Sequence, residues 1–345
     1  MTVIANLREF EELARSRLSP AAFAYYAGGS WDELTLRDNE AAFARRKLLP
    51  RVLVDVATVD LSTSVLGQLV ALPFGFAPAA NQALAHGDAE VIPARVAANR
   101  RLLYCLSTFS NQPLEDVAAV GRGTRWFQLY IQKDRGRSEE MVRRAAAAGY
   151  QAILLTVDLP SAGYREREIR QPLSDGGSLP NIGWAEAYRG SVVELIDQSL
   201  SWADLAWLRG LSDLPLVIKG ILDPADAALA VEHGAAGVIV SNHGGRQLDR
   251  APASIDALES VVAAVAGRAE VYLDGGIRRG TDIVMALALG ARAVLIGRPF
   301  LYAMAAAGEA GILRCVEILE AELRIAMMLL GAPTLAGLTR DRVLG

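Results

Sequence analysis

Residues 152–158 read Ala-Ile-Leu-Leu-Thr-Val-Asp. The run opens on four apolar residues with no in/out alternation, the pattern of a strand buried on both faces. Working outward, seven more runs of this kind occur. Phe74–Pro78, Leu102–Ser107 and Trp126–Tyr130 precede it; Leu216–Gly220, Gly237–Asn242, Val271–Gly276 and Ala293–Arg298 follow. Ala-rich helical patterns lie between them at Asp88–Ala98, Leu114–Val120, Glu139–Ala148, Ala225–Glu232, Ile255–Ala266 and Thr281–Leu289. Several run into a glycine (Gly149, Gly234, Gly267, Gly290), where a helix is expected to stop. The eight strand units predict an α/β fold, a (β/α)8 TIM barrel. A doubly wound sheet fits less well, because no Gly-x-Gly-x-x-Gly turn follows the first strand.

Two regions break the repeat. Residues 1–73 carry helical patterns at Leu7–Arg17, Ala21–Ala27 and Asp32–Ala44, then a basic-apolar stretch at Pro50–Val56. This N-terminal helical extension is expected to form a lid or floor. The barrel is expected over 74–310 and a C-terminal helical segment over 311–345, all within one domain. The connection after the fourth strand, 159–214, is long, and its middle, Pro172–Trp184, is rich in Gly, Pro, Ser and Asp. A mobile active-site flap is expected there, around 170–190.

Composition narrows the function. Hydrophobic residues make up 52% and charged residues 21%, which excludes a disordered chain. The net charge is −4 with no basic cluster, which argues against nucleic acid or an anionic membrane as partner. The two cysteines, Cys105 and Cys315, allow neither a disulfide framework nor a Cys-rich metal site. No apolar run reaches the roughly 18 residues a membrane span needs. The N-terminal stretch is too polar for a secretory signal, and the final Arg-Val-Leu-Gly is not a Ser-Lys-Leu address. A cytoplasmic enzyme is the expectation.

Chemistry in such a barrel collects at the C-terminal strand ends, and there the sequence is polar. In chain order the ends offer Ala79-Ala80, Ser107, Gln128 with Tyr130, Thr156 with Asp158, and Lys219. Ser241-Asn-His243, Asp274-Gly-Gly276 and Gly297-Arg298 follow. The loops after strands seven and eight, with Arg278 and Arg298 beside glycines, suit a phosphate. His243 can serve as a general base, and Arg246 can grip a carboxylate with its fork. Lys219 closes a buried strand and calls for an anionic or electron-rich partner. Asp158 can orient the histidine. His86 and His233 have settings that suit structural roles.

These motifs together resemble the FMN-dependent (S)-2-hydroxy-acid oxidase and dehydrogenase family, the glycolate oxidase/lactate oxidase group. The likeness runs from Tyr25-Tyr26-Ala-Gly-Gly through Pro50-Arg-Val-Leu-Val-Asp-Val, Gln128-Leu-Tyr130, Thr156-Val-Asp158-x-Pro160 and Lys219-Gly220. It is strongest in Ser241-Asn-His-Gly-Gly-Arg-Gln-Leu-Asp249, and continues in Asp274-Gly-Gly-Ile-Arg-Arg-Gly280 and Ile296-Gly-Arg298-Pro299. The resemblance implies His243 as base with Asp158 behind it, and Arg165, Arg246 and Tyr25 on the substrate carboxylate. It implies Tyr130 on the substrate oxygen and Lys219 near flavin N1. Ser107, Gln128 and Thr156 would meet the ring, with Ala79 and Ala80 near N5 and Ser241 also at the cofactor. Asp274, Gly276, Arg278, Gly297 and Arg298 would hold the ribityl phosphate.

The implied reaction takes a 2-hydroxy acid to the 2-oxo acid. Oxygen is the favoured acceptor; a dehydrogenase with another acceptor, an FMN-dependent isomerase and a non-catalytic flavin binder are the alternatives. Ala79, Phe109 and Ala162 depart from bulkier or more polar family residues, which suggests a substrate side chain larger than that of glycolate. The family also suggests a homotetramer or octamer.

Overall fold

The computed structural model describes residues 4–173, 177–183 and 192–345. Eight parallel strands close into a barrel: β1 (Phe74–Phe76), β2 (Leu103–Leu106), β3 (Thr124–Leu129), β4 (Ala152–Thr156), β5 (Leu216–Ile221), β6 (Gly237–Val240), β7 (Glu270–Asp274) and β8 (Ala293–Ile296). Each strand pairs with its sequence neighbour, and β8 closes on β1 with Val294 opposite Phe74. The predicted runs and these strands coincide to within a few residues, and helices surround the barrel between them. The last helix, Arg298–Leu330, breaks at Ala307 and Gly308.

Strand parity fills the lumen. Leu103 and Cys105, Ala152 and Leu154, Val217, Ile239, Tyr272, and Ala293 and Leu295 form one inner cluster with Trp126, while the alternate residues pack outward on the helices. Trp126 and Tyr272 meet edge to face inside, with ring centroids 5.2 Å apart. One step further along each strand, the same parity points Ser107, Gln128, Thr156, Lys219 and Asp274 to the C-terminal rim. The apolar lumen and the polar rim are therefore successive turns of one two-residue repeat.

The lid-or-floor expectation divides in two. The floor is an antiparallel hairpin, Thr63–Val65 with Gln68–Val70, whose Val65 and Val70 join the inner cluster. Helices Pro20–Ala27 and Leu34–Ala44 reach the opposite, polar end, where the Tyr25 and Gly28 carbonyls receive Arg246. The Pro50–Val56 stretch does neither; it runs beside the end of the last helix, with Arg51 N donating to Leu330 O. Its Val52 and Leu53 are exposed.

The 159–214 connection carries secondary structure of its own. Its described part holds helices Glu166–Arg170 and Asp204–Arg209 and two 3-10 turns. Leu179 and Ile182 are buried there, and Asn181 accepts from Leu114 N at 2.9 Å and donates to Ser110 Oγ at 2.6 Å. Residues 174–176 and 184–191 of the expected flap lie outside the described residues.

Glu90, fully buried outside the barrel, accepts from Asn111 N through both carboxylate oxygens at 3.1 Å. Burial pushes its carboxyl up to about 7 despite those bonds. The folded state thus holds a proton that the unfolded chain releases near pH 4.5. The associated stability is full below that value and is lost as pH rises to about 7. Glu90→Gln removes roughly 3 kcal/mol of that penalty. Thermal unfolding is expected to show the variant's Tm advantage growing from pH 5 to pH 8; a difference independent of pH would contradict it.

Candidate active site

The rim encloses a cavity of about 400 Å³. The histidine loop supplies its base. His243, Gly244 and Gly245 all take left-handed backbone, φ 58°, 64° and 75°. At Gly245 a Cβ would lie 2.6 Å from the Leu36 backbone, so the loop packs directly on helix Leu34–Ala44. Asn242 fixes the loop from below, exchanging hydrogen bonds with Asn39 at 2.8 and 2.9 Å and accepting from Gly245 N. A non-glycine residue at positive φ carries strain, here located at the side chain that faces the cavity.

His243 Nδ1 lies 2.9 Å from Asp158 Oδ1. With Nδ1–H donating to the carboxylate, Nε2 is left as a proton acceptor. Burial lowers the imidazole's pKa more than Asp158 raises it, so the ring is neutral near pH 7. Burial also raises Asp158, but the interaction with His243, which donates a hydrogen bond to it, and the Lys219 ammonium leave it below the ordinary carboxylate range and ionised. Asp158 stands behind the histidine and does not line the cavity. Its place depends on Gly220, where β5 bulges at φ 108°: a Cβ there would fall 2.6 Å from Asp158 Cβ.

Lys219 is buried, with Nζ 3.0 Å from Ser241 Oγ and 3.4 Å from Asp274 Oδ2. Burial opposes its charge, yet Asp274 and Asp158 raise its pKa and it stays an ammonium. Ser241 was expected at the cofactor. It is instead fully buried and absent from the cavity wall, supporting Lys219 and accepting from His243 N at 3.1 Å.

Two guanidinia face the base. Arg246 Nη1 donates to the Tyr25 and Gly28 carbonyls, and its plane lies 4.9 Å from the Tyr25 ring centre. Arg165 Nε donates to the Arg246 carbonyl at 3.1 Å and Nη2 to Gln247 Oε1 at 3.0 Å. Burial, then the neighbouring Arg246 charge, lowers Arg165 to about 10, which leaves it charged at neutral pH. Tyr130 stacks on Phe109 at 5.2 Å, and burial raises its phenol, so it remains a hydrogen donor.

The far end of the cavity suits a phosphate. Arg298 is half-buried and donates to the Tyr26, Gly244 and Gly28 carbonyls at 2.8–2.9 Å. Among the described residues no carboxylate pairs with it, and burial lowers it to about 10. A half-buried guanidinium met only by carbonyls, with its face open to the cavity, suits an anion. Gly297 opens the following helix, and a Cβ there would meet nothing nearer than Ala77 at 4.0 Å, which leaves room at a helix N-terminus. Arg278, paired with Glu40 at 3.0 Å, and Gly276 complete this end. Asp274 lines the cavity with Oδ1 unpartnered, a ready acceptor for a hydroxyl. Toward the middle, Gln128 is fixed by Thr156 Oγ1 at 3.0 Å and Thr108 N at 3.2 Å, next to Ser107 and the backbone of Ala79 and Ala80. This donor set fits FMN: cations and a helix end for its phosphate, amides and hydroxyls for its ring.

Every predicted site residue except Asp158 and Ser241 lines this one cavity. Sequence reasoning missed Glu168, which pairs with Arg246 at 3.0 Å, and Gln247, which bridges to the Asp158 and Ser161 carbonyls. It also missed Asn39. The i,i+3 spacing of Arg165 and Glu168 could have exposed the first; the other two act across elements distant in sequence. His86 and His233 stand outside, the latter ending a helix against Trp202.

Comparison with known proteins agrees with this site. Residues 14–344 match the model of the FMN-dependent dehydrogenase family, and the chain belongs to that family. It is 50% identical to an L-lactate oxidase of Nostoc sp. (strain PCC 7120 / SAG 25.82 / UTEX 2576), covering 97% of each chain. It is 44% identical to a glycolate oxidase of Oryza sativa subsp. indica, covering 99% of this chain and 96% of the relative. Among solved structures, mandelate oxidase with (S)-2-phenylpropionate superposes with a TM-score of 0.91 at 41% identity, covering 99% and 98% of the two chains. The barrel and the dependence on FMN follow from this membership. Among the described residues, no helix is long and apolar enough to cross a membrane.

Proposed function

We propose that this protein is an (S)-2-hydroxy-acid oxidase. It takes a 2-hydroxy acid and O2 to the 2-oxo acid and H2O2. The observation that carries the reading is that neutral His243, backed by the Asp158 carboxylate, shares one cavity with Arg165, Arg246 and an end suited to a phosphate. FMN, when bound, accepts the two electrons and passes them to oxygen.

The chain's own residues do the rest. Arg246 and Arg165 grip the substrate carboxylate, with Tyr25 backing the first of them. Tyr130 donates to the substrate hydroxyl oxygen and so orients the reacting carbon. His243 Nε2 takes a proton from the substrate, and Asp158 stabilises the resulting imidazolium. Lys219 lines the same cavity with a buried positive charge, which would stabilise the negative charge a bound flavin takes up on reduction. Arg278, Arg298, Gly276 and Gly297 hold the phosphate, and Asp274 the ribityl hydroxyls.

Ala79, Phe109 and Ala162 line the substrate end together with Leu159 and Leu179. Small and apolar groups there favour a side chain larger than a hydrogen atom. With a panel of glycolate, L-lactate and (S)-mandelate, kcat/KM is expected to be about tenfold or more lower for glycolate than for the best of the others. A glycolate preference would overturn the specificity. Anaerobic bleaching of the yellow protein by these acids tests the reaction class, since isomerisation causes no net reduction. Turnover with oxygen against an artificial acceptor separates oxidase from dehydrogenase.

We also propose a cytoplasmic homotetramer. Leu49, Val52, Leu53, Ile325 and Leu329 are exposed on neighbouring segments, a patch suited to a second copy of the chain. Cys105 and Cys315 are free and buried, in keeping with a reducing compartment.

A further inference from the structure

The arginine clamp already holds a carboxylate. Glu168 Oε1 accepts from Arg246 Nη2 at 3.0 Å and lies 3.6 Å from Arg165 Nη1. The pair carries two like charges in a partly buried wall, and Glu168 relieves their repulsion. Neither guanidinium depends on it for position. Arg246 keeps the Tyr25 and Gly28 carbonyls and the Tyr25 ring; Arg165 keeps the Arg246 carbonyl and Gln247. Glu168 itself sits on a one-turn helix, Glu166–Arg170, with no buried residue, so its side chain can leave at little packing cost.

We infer that Glu168 is a resident competitor in the carboxylate clamp, occupying a donor the substrate needs and setting the affinity for the acid. This rests on the reading of Arg165 and Arg246 as the carboxylate site. An incoming monoanion meets two guanidinia already half neutralised and must displace or share one carboxylate. Removing that charge frees Arg246 Nη2 while both anchors stay, so anions bind more tightly rather than less. Glu168 acts through the arginines, by its charge and not by holding them in place, and it also limits how long a carboxylate product stays bound.

The test compares wild-type holoenzyme with Glu168→Gln by titrating flavin absorbance with pyruvate, a monoanion, and (S)-lactamide, a neutral analogue. The pyruvate Kd and the L-lactate KM are expected to fall about tenfold. Lactamide affinity is expected to stay within about twofold, because the charge effect requires a charged ligand. Glu168→Asp keeps the charge but draws it back by one methylene, and an intermediate pyruvate Kd is expected. An unchanged or weaker pyruvate Kd in E168Q, or an equal shift for lactamide, overturns the inference. Should E168Q lose its flavin, E168D decides: a Kd at or above the wild-type value overturns it. The titration needs no turnover, so it separates from the proposed reaction, which fails if no 2-hydroxy acid bleaches the wild-type flavin.

Discussion

His243→Ala is expected to lower kcat/KM by about 10⁴-fold while FMN remains bound. The imidazole is the only neutral base in the cavity wall among the described residues, and Asp158 keeps its free nitrogen aimed inward. Alanine removes the proton acceptor and leaves water in its place. In the wild type, kcat/KM should decline as pH falls through a value below the ordinary imidazole range, since burial lowers His243 and only its neutral form accepts a proton. The variant should lack that acid limb. Asp158 Oδ2 already lacks a partner, and the substitution strips Oδ1 of its own, so a lower Tm should accompany the loss. Full turnover by the variant would remove the histidine from the chemistry.

Lys219→Met should produce a protein that unfolds earlier and retains less flavin. The ammonium is buried at the cavity wall, bonded to Ser241 and paired with Asp274, and further held by the charge of Asp158. Removing it leaves two carboxylates in the barrel mouth without their shared cation. Breaking a buried pair in this way costs roughly 3–5 kcal/mol. Methionine fills most of the volume, so the loss reports charge rather than a cavity. Three measurements read it: Tm, the ratio of flavin to protein absorbance, and the rate of anaerobic bleaching by L-lactate. All three should fall. Ser241→Ala, which removes one hydrogen bond from the same ammonium, should show a fraction of the Tm loss and keep its flavin. A Lys219→Met protein with wild-type Tm and full flavin would contradict the electrostatic account.

The barrel was readable because burial on both faces writes itself into the residue types. Ala152-Ile-Leu-Leu needs no partner to be recognised as a central strand, and each strand's final polar residue follows from the same two-residue period. His243, Arg246 and Asp249 lie within one short loop, so their proximity is a matter of sequence. Asp249 reaches across to accept from Thr35 N at 2.8 Å, and that reach was not legible.

What the sequence alone determined is therefore the set of inward-facing groups and their order around the rim. Only the tertiary structure decided depth and pairing. It bonded Ser241 to Lys219 and kept it out of the cavity wall, made the 63–70 hairpin the floor, and brought Glu168 between two arginines. The physical reason is that parity along a strand is a local property of the backbone. The height of a residue in the barrel, and the company it keeps, depend on how eight strands stagger and where the connecting segments fold back.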